Sequence, residues 1–205
     1  MTKPGVSAWL HRAEIALFVI GCASLGWAVS ATVNRMVYQR DQARALSRME
    51  RVPAAEPGSR AGSSAAVDVD PLLLGRIEIP RLGLAAIVRE GNDDATLAVA
   101  VGHIPGTAQP GERGNVVLAG HRDTFFRALR GIRRRDTIRI STPRRQDDYV
   151  VESTEVVGPK ETRVLESSRD GLLTLVTCYP FGFIGRAPKR FIVRASLIPK
   201  MTVSR

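Results

Sequence analysis

Thr174-Leu175-Val176-Thr177-Cys178-Tyr179-Pro180-Phe181 is an apolar, partly β-branched run that stops at a cysteine and is closed by Tyr-Pro. It is long enough for one buried strand and too short for a core helix, and Pro180 ends it. A lone cysteine within such a strand is by default a small buried hydrophobe. Cys178 instead ends the strand, where a side chain can emerge into a cleft. Outward from this run the same texture repeats. Arg76-Ile77-Glu78-Ile79 alternates before Pro80, 115–119 is a short buried run, and 137–140 alternates again. With 149–157, 172–177 and 191–197 the chain shows at least six strands, punctuated by Pro105-Gly106, Pro110-Gly111 and Gly158-Pro159. Residues 94–99 and 125–132 read as short helices. Many short strands, little helix, no βαβ rhythm and no internal repeat predict an all-β domain, either a closed barrel or a sandwich.

At 205 residues the chain holds one packed domain and an appendage. The appendage is N-terminal. From Ile15 to Val33 run nineteen residues without a charge, IALFVIGCASLGWAVSATV, which form a helix of about 28 Å, close to the hydrocarbon thickness of a bilayer. The segment is apolar on every face, unlike a core helix. Ala28-Val29-Ser30-Ala31 offers a cleavage site for a signal peptidase, but the run exceeds a signal-peptide core and ends directly in Asn34 and Arg35, which favours an anchor. Lys3 and Arg12 precede it, whereas Arg35, Arg40, Arg44, Arg48 and Arg51 follow, so flanking charge alone would put the C-terminal side in the cytoplasm. Long domains translocate largely regardless of that bias, and a reactive thiol on a tether suits an envelope substrate. The expected organisation is a cytoplasmic N-terminus over 1–14, a single-pass transmembrane anchor over 15–33, a juxtamembrane segment and flexible linker over 34–70, and an extracytoplasmic catalytic domain over 71–205. The linker expectation rests on 52–70, where Pro, Gly, Ser and Ala dominate.

The formal net charge is +10 and the pI near 10.7, which implies attraction to nucleic acid, phospholipid headgroups or an anionic wall polymer. With the anchor in place, membrane and envelope are the expected surroundings, and nucleic acid is not an expected partner. Arg133, Arg134, Arg135, Arg139, Arg144 and Arg145 cluster beside a hairpin; a solvated face is the default reading and an anionic-partner patch the alternative. No Cys/His spacing resembles a zinc site and the acidic residues are scattered, so no metal and no cofactor is expected.

The chemistry gathers around Cys178. The only other cysteine, Cys22, lies within the apolar N-terminal run. A free thiol, with pKa about 8.5, is only a few per cent thiolate near neutrality, yet the thiolate is the nucleophile. A histidine can share or return a proton, and an arginine offers a permanently charged fork of donors to a developing oxyanion. His121 lies 57 positions before the cysteine, and Arg190 lies 12 after it. His103 competes with His121, since both follow glycine, but it precedes Ile-Pro-Gly in a turn and reads as a hydrogen-bonded structural group. Arg190 and Arg194 share strand parity, so parity does not choose between them; Arg186 reads as a loop charge. Thr177 reads equally as a strand filler and as a residue shaping an oxyanion site. Asp123 could orient the imidazole, but reads first as a turn-forming carboxylate.

These residues carry a resemblance. IEIPRLGL, then VREGNDDATLAVAVGHIPGTAQPGERGNVVLAGHRDTFF, then TLVTCYPF followed by RFIVRA, resemble the sortases, membrane-tethered cysteine transpeptidases of the bacterial envelope, and most of all class D, whose signature is Thr-Leu-x-Thr-Cys. The resemblance covers roughly 72 to 197 and implies a closed eight-stranded β-barrel. It implies His121, Cys178 and Arg190 as catalytic residues, the arginine matching the family position five before an alanine, here Ala195, and Thr177 matching the threonine before the thiol. It implies a protein substrate whose C-terminal sorting signal is cleaved after threonine, a thioester, and an amine acceptor in the envelope. Specificity is expected in the loop 158–171. A hydrolytic envelope peptidase or amidase stays open, although a papain-like enzyme places Cys before His and an L,D-transpeptidase needs a His-Gly-Cys element missing here. A membrane-anchored binding module with an inert thiol is the non-enzymatic alternative.

Overall fold

The computed structural model describes residues 4–51, 69–168 and 171–199. The chain divides into two compact units, Met1–Tyr38 and Gln39–Arg205. The first consists of the opening part of α1 (Pro4–Arg51). The stretch Trp9–Met49 contains a window of mean hydropathy 1.9, none of it buried, long and apolar enough to cross a membrane by length and composition. Phe18 and Trp27 are 72% and 80% exposed. Large side chains this bare within the uncharged stretch 15–33 of that helix fit a single-pass membrane anchor.

The second unit is a closed barrel of eight strands: β1 (Leu73–Ile79), β2 (Leu84–Glu90), β3 (Val101–His103), β4 (Asn115–Ala119), β5 (Thr137–Ser141), β6 (Gln146–Val157), β7 (Leu172–Tyr179) and β8 (Lys189–Leu197). Their order around the barrel is β1-β2-β3-β4-β7-β8-β6-β5, closed by β5 on β1. Only β2/β3 and β4/β7 pair in parallel. The barrel, not the sandwich, is therefore the architecture. Alternation explains the outer strands: Ile77, Ile79, Ile138 and Ile140 are buried inside, while Arg76 and Glu78 face out and pair at 3.1 Å. The parallel pair is apolar on both faces, with Val116, Val117 and Leu118 all at or below 1% exposure, as parallel strands covered on both sides require.

β2 and β3 are the strands the sequence does not announce. β2 carries two alanines, weak strand formers, and buries residues without clean alternation, and β3 has only three residues. The helix expected over 94–99 is α2 (Asp94–Val99), capped by Asp93, whose carboxylate accepts from the Thr96 amide at 3.0 Å and from its hydroxyl at 2.9 Å. Those bonds hold the Asp93 carboxyl below its usual range. The helix expected over 125–132 is a 3-10 helix, Phe125–Gly131. Its two buried residues, Phe126 and Leu129, stand three apart, the spacing that eclipses in a three-residue turn.

The compact unit begins within α1. Gln39 Nε2 donates to the Val99 carbonyl at 2.7 Å, and its Oε1 accepts from the Ile87 amide at 2.8 Å. β3 starts only opposite Val88, so the glutamine takes up an amide just beyond its reach. Ala45 and Leu46 are buried too. Residues 34–51, expected as juxtamembrane, are thus helical, and 39–51 belong to the compact unit of the barrel; the expected linker lies largely in 52–68, outside the described residues. Elsewhere, burial pushes the Tyr149 hydroxyl up to about 12, helped by Asp147 and opposed by Arg145. Asp136 is held below the usual carboxylate range by its hydrogen bonds from Arg81, against the effect of burial.

Candidate active site

β7 and β8 run antiparallel and their register sets Cys178 directly opposite Arg190. One strand further round, β4 lies parallel to β7, and the pairing continues past the strand end, where the Gly120 amide donates to the Val176 carbonyl at 3.2 Å. The Thr177 hydroxyl donates back to the Gly120 carbonyl at 2.7 Å. The chain is pinned at the residue before His121. Gly120 is required for a packing reason, because a Cβ there would stand 2.8 Å from the Phe126 ring. Thr177, 2% exposed, is placed as a strap between the thiol strand and the histidine loop, its proton committed to that carbonyl.

His121, Thr177, Cys178 and Arg190 line one cavity of about 390 Å³, within the size range of small-ligand and peptide pockets. Leu97, Ile104, Val164 and Ile192 supply apolar walls. Cys178 is a half-buried free thiol, and neither it nor the His121 ring has a side-chain hydrogen bond among the described residues. Arg190 uses Nη1 alone, donating to Ala187 O at 3.3 Å and Lys189 O at 3.0 Å. Its Nε and Nη2 leave three N–H donors for the cavity.

The competing residues have other partners. Arg194 pairs with Glu155 at 3.4 Å, and Glu155 is also 3.6 Å from Arg163. His103 is 1% exposed, with Nδ1 2.8 Å from Glu90 Oε2 and Nε2 2.9 Å from the Ala108 carbonyl and 3.0 Å from Thr107 Oγ1. It is a structural tie. Asp123 is exposed and makes no hydrogen bond to the imidazole. Among the described residues no group of three or more His, Cys, Asp or Glu could hold a metal ion.

Two features of the site lie outside the sequence reading. Arg122 Nη2 donates to Phe183 O at 2.6 Å and to Gly185 O at 2.9 Å, fastening the β7–β8 loop to the residue after His121. Asn115 Nδ2 donates to Val164 O at 3.1 Å and Glu166 O at 3.0 Å, and its Oδ1 accepts from Thr174 at 2.8 Å. This buried chain holds the segment around Val164 and Glu166, whose neighbours Pro159–Thr162 and Leu165, with Val164 itself, line the cavity. The only sequence signal was a polar residue at the start of a buried strand, and another within one.

The sortase domain family model matches residues 77–198. The chain is similar to sortase D of Bacillus subtilis (strain 168), at 36% identity over 121 residues, which are 58% of this chain and 61% of that one. It thus spans less than two thirds of that relative's length. Among solved structures it is similar to a Clostridium perfringens sortase D5 transpeptidase, at 32% identity and a TM-score of 0.57, covering 62% of this chain and 79% of that one. It is similar also to sortase C-1 of Actinomyces oris, at 28% identity and a TM-score of 0.58, covering 78% and 97%.

Proposed function

The chain belongs to the sortase family, and on that premise we propose that it is a class D-like cysteine transpeptidase of the cell envelope. The observation that carries this reading is the meeting of Cys178, Arg190 and His121 on one cavity, the first two as cross-strand partners. In the proposed cycle the Cys178 thiolate attacks the carbonyl carbon of a threonine in a substrate's C-terminal sorting signal. The free donors of Arg190 stabilise the oxyanion. His121, protonated, gives its proton to the leaving amine as the C–N bond breaks, leaving a thioester on Cys178. An amine acceptor from the envelope then attacks the thioester, losing its proton to the neutral imidazole while the thiolate departs. Thr177 acts as a positioning residue through Gly120. The β6–β7 loop reads the substrate, and α1 anchors the chain with the barrel outside the cytoplasmic membrane.

A transferase differs from a hydrolase in making an amine outcompete water at about 55 M, which takes acceptor binding and orientation. The test uses the full chain with a peptide containing Thr-Gly or Thr-Ala as the scissile pair, with and without a range of amines, and mass spectrometry of the products. A ligated product and an amine-dependent rate support transfer. Hydrolysed acid alone, across all amines, assigns the cavity to a peptidase, and no cleavage together with a thiol inert to alkylation assigns the barrel to binding. An export-dependent reporter fused to the C-terminus reads the orientation; silence there places the barrel in the cytoplasm and ends the envelope reading.

A further inference from the structure

The basic cluster seen in the sequence separates into two kinds of arginine. Arg139 donates to Asp148 at 2.9 Å, and Arg145 to Asp147 at 3.0 Å. Arg76, Arg81, Arg89, Arg163 and Arg194 likewise have carboxylate partners. Arg127, Arg130, Arg134 and Arg135 have none for their side chains among the described residues, Arg133 has only the charge of Asp136 nearby, and all five are exposed. Five guanidiniums thus stand within nine residues of chain, four of them with no counter-charge among the described residues.

Local structure holds them in place. In the 3-10 helix Phe125–Gly131, residues three apart eclipse, so the buried pair Phe126 and Leu129 defines one edge, and Arg127 and Arg130 form a parallel exposed row spaced by about 6 Å. Arg133 continues the three-residue spacing. The next turn is built on Asp136, whose amide donates to Arg133 O at 3.2 Å and whose Oδ2 accepts from the Arg133 amide at 2.8 Å. Asp136 is the one acid in 125–136, and its buried carboxylate is taken by Arg81 and that turn. Arg135 is held at φ 70°, a left-handed conformation that L-residues adopt at a cost, by its amide's bond to Val151 O at 2.8 Å.

We propose that the arginine ridge 127–135 is a docking surface for the anionic headgroups of a phospholipid bilayer. Guanidinium forks match phosphate oxygens two at a time, and a cluster of basic side chains on a membrane-anchored chain is drawn to an anionic leaflet. The membrane-spanning candidate in the same chain keeps a bilayer at high local concentration, so weak individual contacts suffice. The inference rests on membrane anchoring and is independent of the chemistry in the cavity.

The test places the full chain in nanodiscs of phosphatidylcholine alone, or with about one third phosphatidylglycerol, and follows backbone hydrogen exchange over 125–136. Exchange there slows several-fold in the anionic discs and returns to the zwitterionic rate at about 1 M salt, where the screening length is ~3 Å. The combined variant Arg127→Gln, Arg130→Gln, Arg133→Gln, Arg134→Gln, Arg135→Gln loses the slowing, whereas the same five positions changed to Lys keep most of it, and both cleave a soluble peptide at the wild-type rate. Should the Gln set fail to fold, the salt dependence of the wild type and the Lys set decide. Equal exchange in the two disc types overturns the proposal, as does an anionic effect that survives in a folded Gln variant. Slowing by soluble poly(glycerol phosphate) or duplex DNA, with no response to discs, overturns it in favour of a linear polyanion.

Discussion

His103 and His121 both follow a glycine, both lie near a strand end, and they are built in opposite ways. His103 is buried with acceptors at both ring nitrogens, Glu90 on one side and Ala108 with Thr107 on the other. Among the described residues His121 has no side-chain partner, and it lines one cavity with an equally unpartnered thiol. The arginines divide the same way: Arg194 has Glu155, while among the described residues Arg190 has only backbone carbonyls and keeps donors in reserve. A polar group whose hydrogen bonds are all made holds the fold. One positioned by its neighbours yet left with open valences at a cavity is free to meet a substrate.

The contrast can be broken by exchanging loss of activity for loss of stability. Its largest expected effect is at the open pair: Cys178→Ala, and separately His121→Ala, lower kcat/KM at least about 10³-fold with unchanged thermal unfolding. Retained turnover in either variant removes that residue from the proposed cycle. Next comes Arg190→Lys, expected to cost about 10²-fold in kcat because a point charge cannot reproduce a planar fork at an oxyanion. Arg194→Lys leaves kcat near wild type, and the reverse ranking would transfer the role to Arg194. His103→Ala should act on the other axis, losing about 1–3 kcal/mol of unfolding free energy by stranding the groups around it, with activity per folded molecule retained. A catalytic defect without a stability loss would erase the distinction between the two histidines.

The smallest effect sharpens the meaning of a satisfied group. Asp136→Asn is expected to cost about 1–2 kcal/mol at neutral pH, since a neutral amide replaces a carboxylate bonded by Arg81 and by the Arg133 amide. The folded carboxyl sits below its unfolded value. Its contribution is therefore present in full above the unfolded pKa, near ~4, and disappears as pH falls through the folded one. Urea midpoints of the two proteins should converge in acid; a gap that persists there points to shape rather than charge.

Much of this was legible in the sequence, for identifiable reasons. The strand carrying Cys178, which runs one residue further to Tyr179, announced itself because a continuous apolar run stops at Tyr-Pro, and β1 and β5 because Ile alternates with charge. β2 escaped because Ala85 and Ala86 carry little strand preference, and β3 because three residues hold no period. His121 and Arg190 were reachable through the resemblance, whereas residue parity alone left Arg190 and Arg194 tied; the ion pair with Glu155 exists only across β6 and β8. Arg122 and Asn115 were invisible for another reason. The acceptors their side-chain N–H groups reach are backbone carbonyls tens of residues away, and a carbonyl has no letter in the sequence.

Asn115 also bears on how tightly the cavity could hold a flexible peptide. A fourteen-residue connection between β6 and β7 would ordinarily sample many shapes, and freezing each residue on contact with a ligand costs about 1–2 kcal/mol of backbone freedom. By holding the carbonyls of Val164 and Glu166, Asn115 freezes the middle of that connection during folding, before any ligand arrives. Association then carries a smaller entropic penalty. A chain with Asn115→Ala should consequently bind its peptide with a more unfavourable entropy in calorimetry, even where the contacts in the bound state are the same.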